Sequence, residues 1–470
     1  MLTAHAPLAA SRHTAVRTYL FEYGTSKSLV STGLDLLSTP KLGVQDSFAI
    51  GFQQTPEKGK KDFQDSIWVF LNDCRPAMET LVSKAGDIPS FMPSWKPSTS
   101  MDPRLSDHIR QLNIPRDKGG LPSLLLHDLG EEKSDLDRVR ASRIPSIFSN
   151  TNTCVVHFVM VHFHISCIFR LLINTSGSGK SRILLEGLCR HWGFYFVAVG
   201  SSIIGSSDFY ATFRTIDTAR DYDRARTVKS IDPLAFPHME NTTERRLLQL
   251  LLSRLLLLSL FIEVAKCSPI GLQQKEHRRL WTLLQVHPEI IKGHFCGDIF
   301  ADLTARLRYT TGENLMKLVK EAHTKLRDLL AAPNGELILF TVLDEVQEAL
   351  TLCIGDYQSN DKQTARPLLR ETYRVWSTLL GSKFPLILSG TGINYQIIDE
   401  ILGSSIAKAQ PYVRLHNIGA FDDMSSQTAY IQQFFPPTLF STPPWHAFLS
   451  RAWAWLRGRY KALFISWKYY

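Results

Sequence analysis

Blocks of like charge, a cysteine framework, internal repeats and an apolar leader are all missing from this chain, and each absence narrows its class. The 53 Lys and Arg residues outnumber the 44 Asp and Glu and leave a formal charge of +9, yet they are scattered rather than gathered into a basic run. The positive balance is compatible with nucleic acid or an acidic surface without pointing to either. Seven cysteines, odd in number and widely spaced, make no disulfide framework, so a reducing intracellular compartment, cytoplasm or nucleus, is expected. No apolar h-region follows Met1, so a conventional secretory signal is not expected. No heptad array or fixed-period repeat emerges. With 44% hydrophobic and 21% charged residues the composition is that of a folded chain.

Two apolar runs stand out. "LLQLLLSRLLLLSLFIEVA", Leu247 to Ala265, is long enough to span a bilayer, but Arg254 lies near its middle. A charge there is expensive in lipid, so a buried helix of a large α/β domain is expected, with no membrane contact. "CVVHFVMVHFHISCIFRLLI", Cys154 to Ile173, is too long for one ordinary strand. It carries Cys154, His157, His162, His164 and Cys167, and His162 and His164 would share one face of a strand, as two metal ligands do. The spacing matches no compact zinc pattern, and a core segment is the preferred reading.

Residues 1–145 mix helical and extended patterns into a poorly defined α+β region without recognisable chemistry. Within it, "GFQQTPEKGKKDFQD" (51–65) reads as a polar loop, and Asp65 to Gly86 as an amphipathic helix ended by glycine. "SFMPSWKPSTSMDPR" (90–104) reads as a linker or extended arm. Over 146–420 the order is strand, Gly/Ser-rich loop, helix, strand, a mostly helical stretch at about 205–333, then further strands in "ELILFTVLDEVQEAL", "FPLILSGTGIN" and "PYVRLHNIG". That order predicts an α/β domain whose parallel central sheet is flanked by helices and interrupted by a large helical insertion. Residues 421–470 are expected to form a partial helical lid or a truncated C-terminal region.

The chemistry gathers at three strand ends. Asn174, Thr175, Ser176, Gly177, Ser178, Gly179, Lys180 and Ser181 match the phosphate-loop pattern G-x-x-x-x-G-K-[ST] except at the first place. In such a loop the backbone N–H groups and the following helix N-terminus favour a polyphosphate. Lys180 would reach the terminal phosphates and the Ser181 hydroxyl would bind magnesium. Asparagine tolerates the left-handed region, so Asn174 is expected to supply the backbone conformation that the first glycine normally gives. Gly177 and Gly179 keep the crowded part of the loop open. "LILFTVLDEVQ" is an apolar strand ending in Asp344-Glu345. A buried carboxylate is costly unless it serves a cation, so Asp344 joins Ser181 as a metal residue, and Glu345 is placed to act on the attacking water. Ser389, Thr391 and Asn394, at the end of "FPLILSGTGIN", are candidate sensors of the terminal phosphate. Arg414 is a guess at the arginine that meets transition-state charge. Taken singly, these motifs also read as a Gly/Ser turn, an acidic helix start and a strand-to-loop turn. Their succession favours the nucleotide reading.

The succession of "NTSGSGKSRILLEGLCRHWGFYF", "LDEVQ", "LILSGTGIN" and "VRLHNIGAFDD" resembles a family of fungal P-loop proteins related to the Crinkler-type proteins, over roughly residues 120–460. The resemblance implies an AAA-like P-loop NTPase module with Lys180, Ser181, Asp344 and Glu345 in its nucleotide and magnesium roles. Some relatives join that module to a nuclease or another effector domain. In the family the apolar strand runs straight into the loop, so Val155 to Arg170 read as an addition with the composition of translated intron sequence. The family pattern also continues past "RAWAWLRGRY", which implies an incomplete lid. The expected function is an ATP-binding, Mg2+-dependent ATP-hydrolysing switch or effector module, AAA-like or STAND-like, with an unidentified protein partner. Two alternatives stay open. One is a nucleic-acid-associated motor, suggested by D-E-x-Q and the positive charge, although no second helicase core follows. The other is a non-catalytic, nucleotide-binding interaction protein. The Asn-Lys-x-Asp pattern of guanine readers is absent.

Overall fold

The computed structural model describes residues 56–84, 92–99, 101–148, 153–158, 161–166, 169–175, 177–227, 235–268, 274–291, 297–310, 312–330, 337–352, 357–358, 365–380, 385–393, 413–415 and 423–456. Two compact units, 1–66 and 67–470, divide the chain, and apart from the start of the first helix everything below lies in the second. Helices α1 (Pro56–Ser83), α2 (Pro103–Gln111) and α3 (Asp135–Ile147) come first, then strands β1 (Thr153–Phe158), β2 (Val161–Ser166) and β3 (Phe169–Ile173). Next are α4 (Lys180–Leu188), β4 (Gly193–Val197) and five helices, α5 (Asp208–Thr227), α6 (Ala235–Cys267), α7 (Gln274–Val286), α8 (Ile299–Arg306) and α9 (Gly312–Leu330). Then come β5 (Phe340–Asp344), the short β6 (Tyr357–Gln358) and β7 (Ala365–Arg366), α10 (Leu368–Leu380), β8 (Leu386–Gly390) and β9 (Val413–Leu415). Helices α11 (Met424–Gln432) and α12 (Pro443–Leu456) close the described part.

Five strands form one sheet in the order β4-β5-β8-β3-β9, and every neighbouring pair is parallel. Strands β4, β5 and β8 are buried at every position, which parallel strands covered by helices on both faces require. This is the α/β architecture with a parallel sheet flanked by helices that the order of patterns predicts. Gly193 sets the spacing of β4 and β5, because a Cβ there would lie 2.1 Å from the Phe340 carbonyl oxygen. Strands β3 and β8 lie side by side, yet the chain leaves them in opposite directions: from β3 across to β4, and from β8 past β3 to β9. Where connections diverge in this way, the carboxyl ends of the two strands border a crevice open to ligands.

Several local expectations change. Residues 56–65 are not a loop but the opening of α1. Pro56 stands first in that helix, where its missing N–H costs nothing, and the polar residues after it are good helix formers. The stretch 92–99 is no free linker: Trp95 N–H donates to the Ile114 carbonyl at 2.8 Å and Arg116 N–H to that of Pro93 at 3.1 Å. Trp95 packs with Ile109, Ile114 and Phe434 in a small apolar cluster. The run from Cys154 to Ile173 breaks into three strands. β1 and β2 pair with each other in an antiparallel hairpin, His157 opposite His162, and β3 enters the large sheet from Phe169 onward. His162 and His164 both lie on β2; their side chains lie outside the described residues. Among the described residues no group of three His, Cys, Asp or Glu side chains is arranged to hold a metal.

Helix α6 is the hub of the insertion and packs against α5, α8, α9 and α10. Thr242–Cys267 is long and apolar enough to cross a membrane, but 89% of its apolar window is buried inside the protein. The charge that argued against a membrane span finds a partner there. Arg254 and Asp208 both have fully buried side chains, and Arg254 Nε and Nη2 donate to the two Asp208 oxygens at 2.7 and 2.8 Å. The Arg254 guanidinium also lies 4.0 Å from the Phe300 ring centre and 4.6 Å from that of Phe196. Its Nη1 donates to Gln285 Oε1 at 3.2 Å, an atom that also accepts the Tyr195 backbone N–H at 2.9 Å. The insertion is thereby bonded to β4.

Two measurements follow from these buried groups. Arg254→Leu strands the Asp208 carboxylate and should cost about 3–5 kcal/mol, while Arg254→Leu with Asp208→Leu should recover much of it. Urea unfolding of wild type, the two single variants and the double variant checks this, and strictly additive losses would contradict a bonded pair. His191 stacks on Phe148 and meets the edge of Phe340; burial, then the charges of Arg278 and Arg190, lower its pKa from 6.5 to about 4. The unfolded chain therefore takes up that proton first, and stability should fall by up to about 3 kcal/mol as pH drops from about 6.5 to about 4. His191→Gln should flatten that window in a pH series of melts.

Candidate functional site

The three sequence motifs converge at the carboxyl edge of the sheet. The loop after β3 turns into α4, with Gly177 at φ +80° and Gly179 at φ +88°, conformations that glycine adopts without a Cβ penalty. Asn174 departs from expectation, because it is not among the residues with positive φ. Its side chain instead accepts the Thr175 N–H at 2.7 Å, so the first place of this loop requires a local acceptor and no left-handed backbone. Gly179 is the N-cap of α4 and offers no side-chain cap, which leaves the first-turn N–H groups directed at the loop's concavity. Ser176 lies outside the described residues.

Lys180 folds back over this loop. Its Nζ donates to the carbonyls of Asn174 at 2.9 Å and Thr175 at 2.8 Å, and its side chain is largely buried. Burial lowers the lysine pKa, while the nearby charges of Asp344 and Glu345 pull it back up. The ammonium is thus held by two neutral dipoles in a site that would favour an added anion.

Ser181 Oγ donates to Asp344 Oδ2 at 2.6 Å, joining residues 163 apart in the chain. The same carboxylate oxygen accepts the Tyr195 hydroxyl at 2.9 Å, and Asp344 Oδ1 accepts the Glu345 backbone N–H at 3.0 Å. Burial, followed by the charge of Asp344 and the hydrogen bond to it, raises the Tyr195 pKa well above its ordinary value, so the phenol stays protonated and donating. A hydroxyl and a carboxylate in contact are hard oxygen donors, the set a magnesium ion takes along with water and phosphate. Tyr195 had no signal in the sequence: "GFYFVAVG" reads as a plain apolar strand. Parallel register decides its role, because Tyr195 lies opposite Val342 and Val197 opposite Asp344, and residues two apart share a face.

Beside Asp344 stands Ser389. Leu343 pairs with Leu388, so the next residues of the two strands are neighbours on one face. The hydroxyls of Ser389 and of Ser178 in the loop are fully buried and have no hydrogen-bond partner, which is unusual unless something else meets them. Thr391 N–H donates to Gln347 Oε1 at 3.3 Å and Gln347 Nε2 donates to Glu345 Oε2 at 2.6 Å. Asn394 lies outside the described residues. Arg414 is not brought to the strand ends: it is exposed on the edge strand β9, in register with Leu171, because β9 pairs with the middle of β3.

The helix behind the loop is gripped from the N-terminal side. Arg182 donates to the carbonyls of Leu124 at 3.2 Å, Leu125 at 2.9 Å, His127 at 2.6 Å and Asp128 at 3.0 Å, and its Nε to Glu186 Oε1 at 2.8 Å. Glu186 also accepts the Gly130 N–H at 3.1 Å. Residues 124–130, silent in the sequence, hold α4 in its orientation.

Tyr195→Phe withdraws a donor from a buried carboxylate and should cost about 1–3 kcal/mol. The same change in an Asp344→Asn background should cost clearly less, as urea unfolding of the four proteins would show; equal losses would mean that Asp344 does not depend on the hydroxyl. Comparisons with protein families, curated proteins and solved structures find nothing that matches this chain, so the functional reading rests on the geometry.

Proposed function

We propose that the chain is a P-loop NTPase that binds ATP with Mg2+ and hydrolyses it, serving as a switch or effector module of the AAA-like or STAND-like type that the fungal resemblance implies. The observation that carries the reading is the 2.6 Å contact between Ser181 and Asp344. A lysine-serine helix start and an acidic strand end, distant in sequence, meet with the residue types that phosphate and magnesium need. The strand order adds support. β8 lies between β3 and β5, so Ser389 falls between the loop and the acidic pair, where a terminal phosphate would lie.

In this reading the loop N–H groups and the α4 N-terminus receive the phosphates. Lys180 exchanges the carbonyls of Asn174 and Thr175 for phosphate oxygens, and the orphaned hydroxyls of Ser178 and Ser389 gain acceptors. Ser181 and Asp344 would hold the magnesium ion, which neutralises phosphate charge when bound. Glu345 accepts a proton from water while the water oxygen attacks the terminal phosphorus and ADP departs. The closed environment around Lys180 and Asp344 keeps these interactions strong by excluding solvent.

The chain should bind ATP in the presence of Mg2+ and release phosphate, with turnover abolished by EDTA. Lys180→Ala should weaken binding by roughly 100-fold, losing a charge-assisted contact. Glu345→Gln should bind as wild type and turn over at least about 100-fold slower. Calorimetry with ATP and a phosphate-release assay read both. A folded wild-type chain that fails to bind ATP would sink the proposal.

A further inference from the structure

We propose that Gln347 is a positioning residue for Glu345, tying the base's carboxylate to the backbone at the end of β8. The inference rests on the ATPase reading above and deepens it by naming what aims the base. Glu345 sits at φ +56°, a left-handed conformation that a non-glycine residue seldom adopts. Such a backbone persists only where its surroundings over-determine it. Three hydrogen bonds do so here. The Glu345 N–H donates to Asp344 Oδ1 at 3.0 Å, the Val346 N–H to the Ser389 carbonyl at 3.0 Å, and Gln347 Nε2 to Glu345 Oε2 at 2.6 Å.

The other end of the same carboxamide receives the Thr391 N–H at 3.3 Å. Gly390 makes room for it: a Cβ at that position would lie 2.6 Å from Gln347 Oε1. The orientation of the amide follows from its partners, since an ionised carboxylate only accepts and a backbone N–H only donates. Turned over, the group would oppose acceptor to acceptor and donor to donor. Glutamine suits this position because it carries a donor and an acceptor on one planar end. A glutamate would bring a second negative charge to Glu345, and a leucine would offer neither bond.

Gln347 thus occupies one oxygen of Glu345 and leaves the other to take the proton from water. It also references that oxygen to Thr391, two residues beyond the Ser389 hydroxyl that would meet the terminal phosphate. The base and the phosphate sensor are set against each other by a single side chain.

The test compares the wild-type chain with Gln347→Leu, Gln347→Glu and Glu345→Gln, measuring Mg2+-ATP affinity and kcat separately, with thermal melting as the check of folding. Gln347→Leu should bind ATP within about threefold of wild type and turn over about 10–100-fold more slowly, the scale of a misplaced catalytic group. Gln347→Glu should be slower still, because two carboxylates then face each other. Affinity falling in step with kcat would mark a merely structural role and overturn the assignment. So would wild-type kcat in Gln347→Leu, with the ATPase reading left standing. A folded wild type without turnover would instead overturn hydrolysis itself and this inference with it.

Discussion

A carboxylate at the end of a fully buried strand must be met by donors or lose its charge, and the way Asp344 is met organises the site around it. Its three donors come from three directions: the Ser181 hydroxyl from α4, the Tyr195 hydroxyl from β4, and the Glu345 amide from its own strand end. Each demands something of the fold. Ser181 requires the loop to turn into a helix lying over β5. Tyr195 requires β4 beside β5 in the register that sets Val197 opposite Asp344. The Glu345 amide requires a left-handed step that few residues take. Leaving such a group unmet would cost several kcal/mol.

The insertion belongs to the same economy of buried charge. Arg254 on α6 is neutralised by Asp208 on α5, and its remaining donor reaches Gln285 on α7. Gln285 in turn receives the Tyr195 amide and donates to the Gly193 carbonyl at 3.3 Å, beside the Trp281 indole that donates to it at 2.8 Å. The strand that presents Tyr195 to Asp344 is therefore bonded to α7 of the insertion through Gln285 and Trp281, and Arg254 ties Gln285 to α6 and, with Asp208, to α5. Residues 124–130 restrain α4 comparably through Arg182 and Glu186. A loop whose glycines leave it conformationally free is thus flanked by well-anchored elements, and rigid supports of this kind preserve the geometry of a site.

Much of this was legible in the residues. Apolar runs marked β4, β5 and β8; the Gly/Ser-rich turn before "KSRILLEGL" marked the loop and α4; the arginine inside "LLSRLLLL" marked a helix buried in protein. Other elements were not. The opening of α1 looked like loop because a run of polar residues is as compatible with a helix as with a turn. Residues 92–99 looked like a linker because proline-rich composition says nothing of the partner that Ile114 and Phe434 provide. Asn174 was assigned a left-handed backbone by analogy with glycine, while at these strand ends the non-glycine residue that takes that conformation is Glu345.

The sequence by itself determined the elements, their order and the residue types at the strand ends, because periodicity, turn chemistry and motif spacing are local properties of a chain. Only the tertiary structure decided which of those ends meet. The succession of motifs already suggested that Ser181 and Asp344, 163 residues apart, belong together, but nothing in the sequence pointed from Asp344 to Tyr195, 149 residues away. Strand order and register settle both contacts, and that order and register are chosen by the joint requirement that buried strands be covered and buried charges be met.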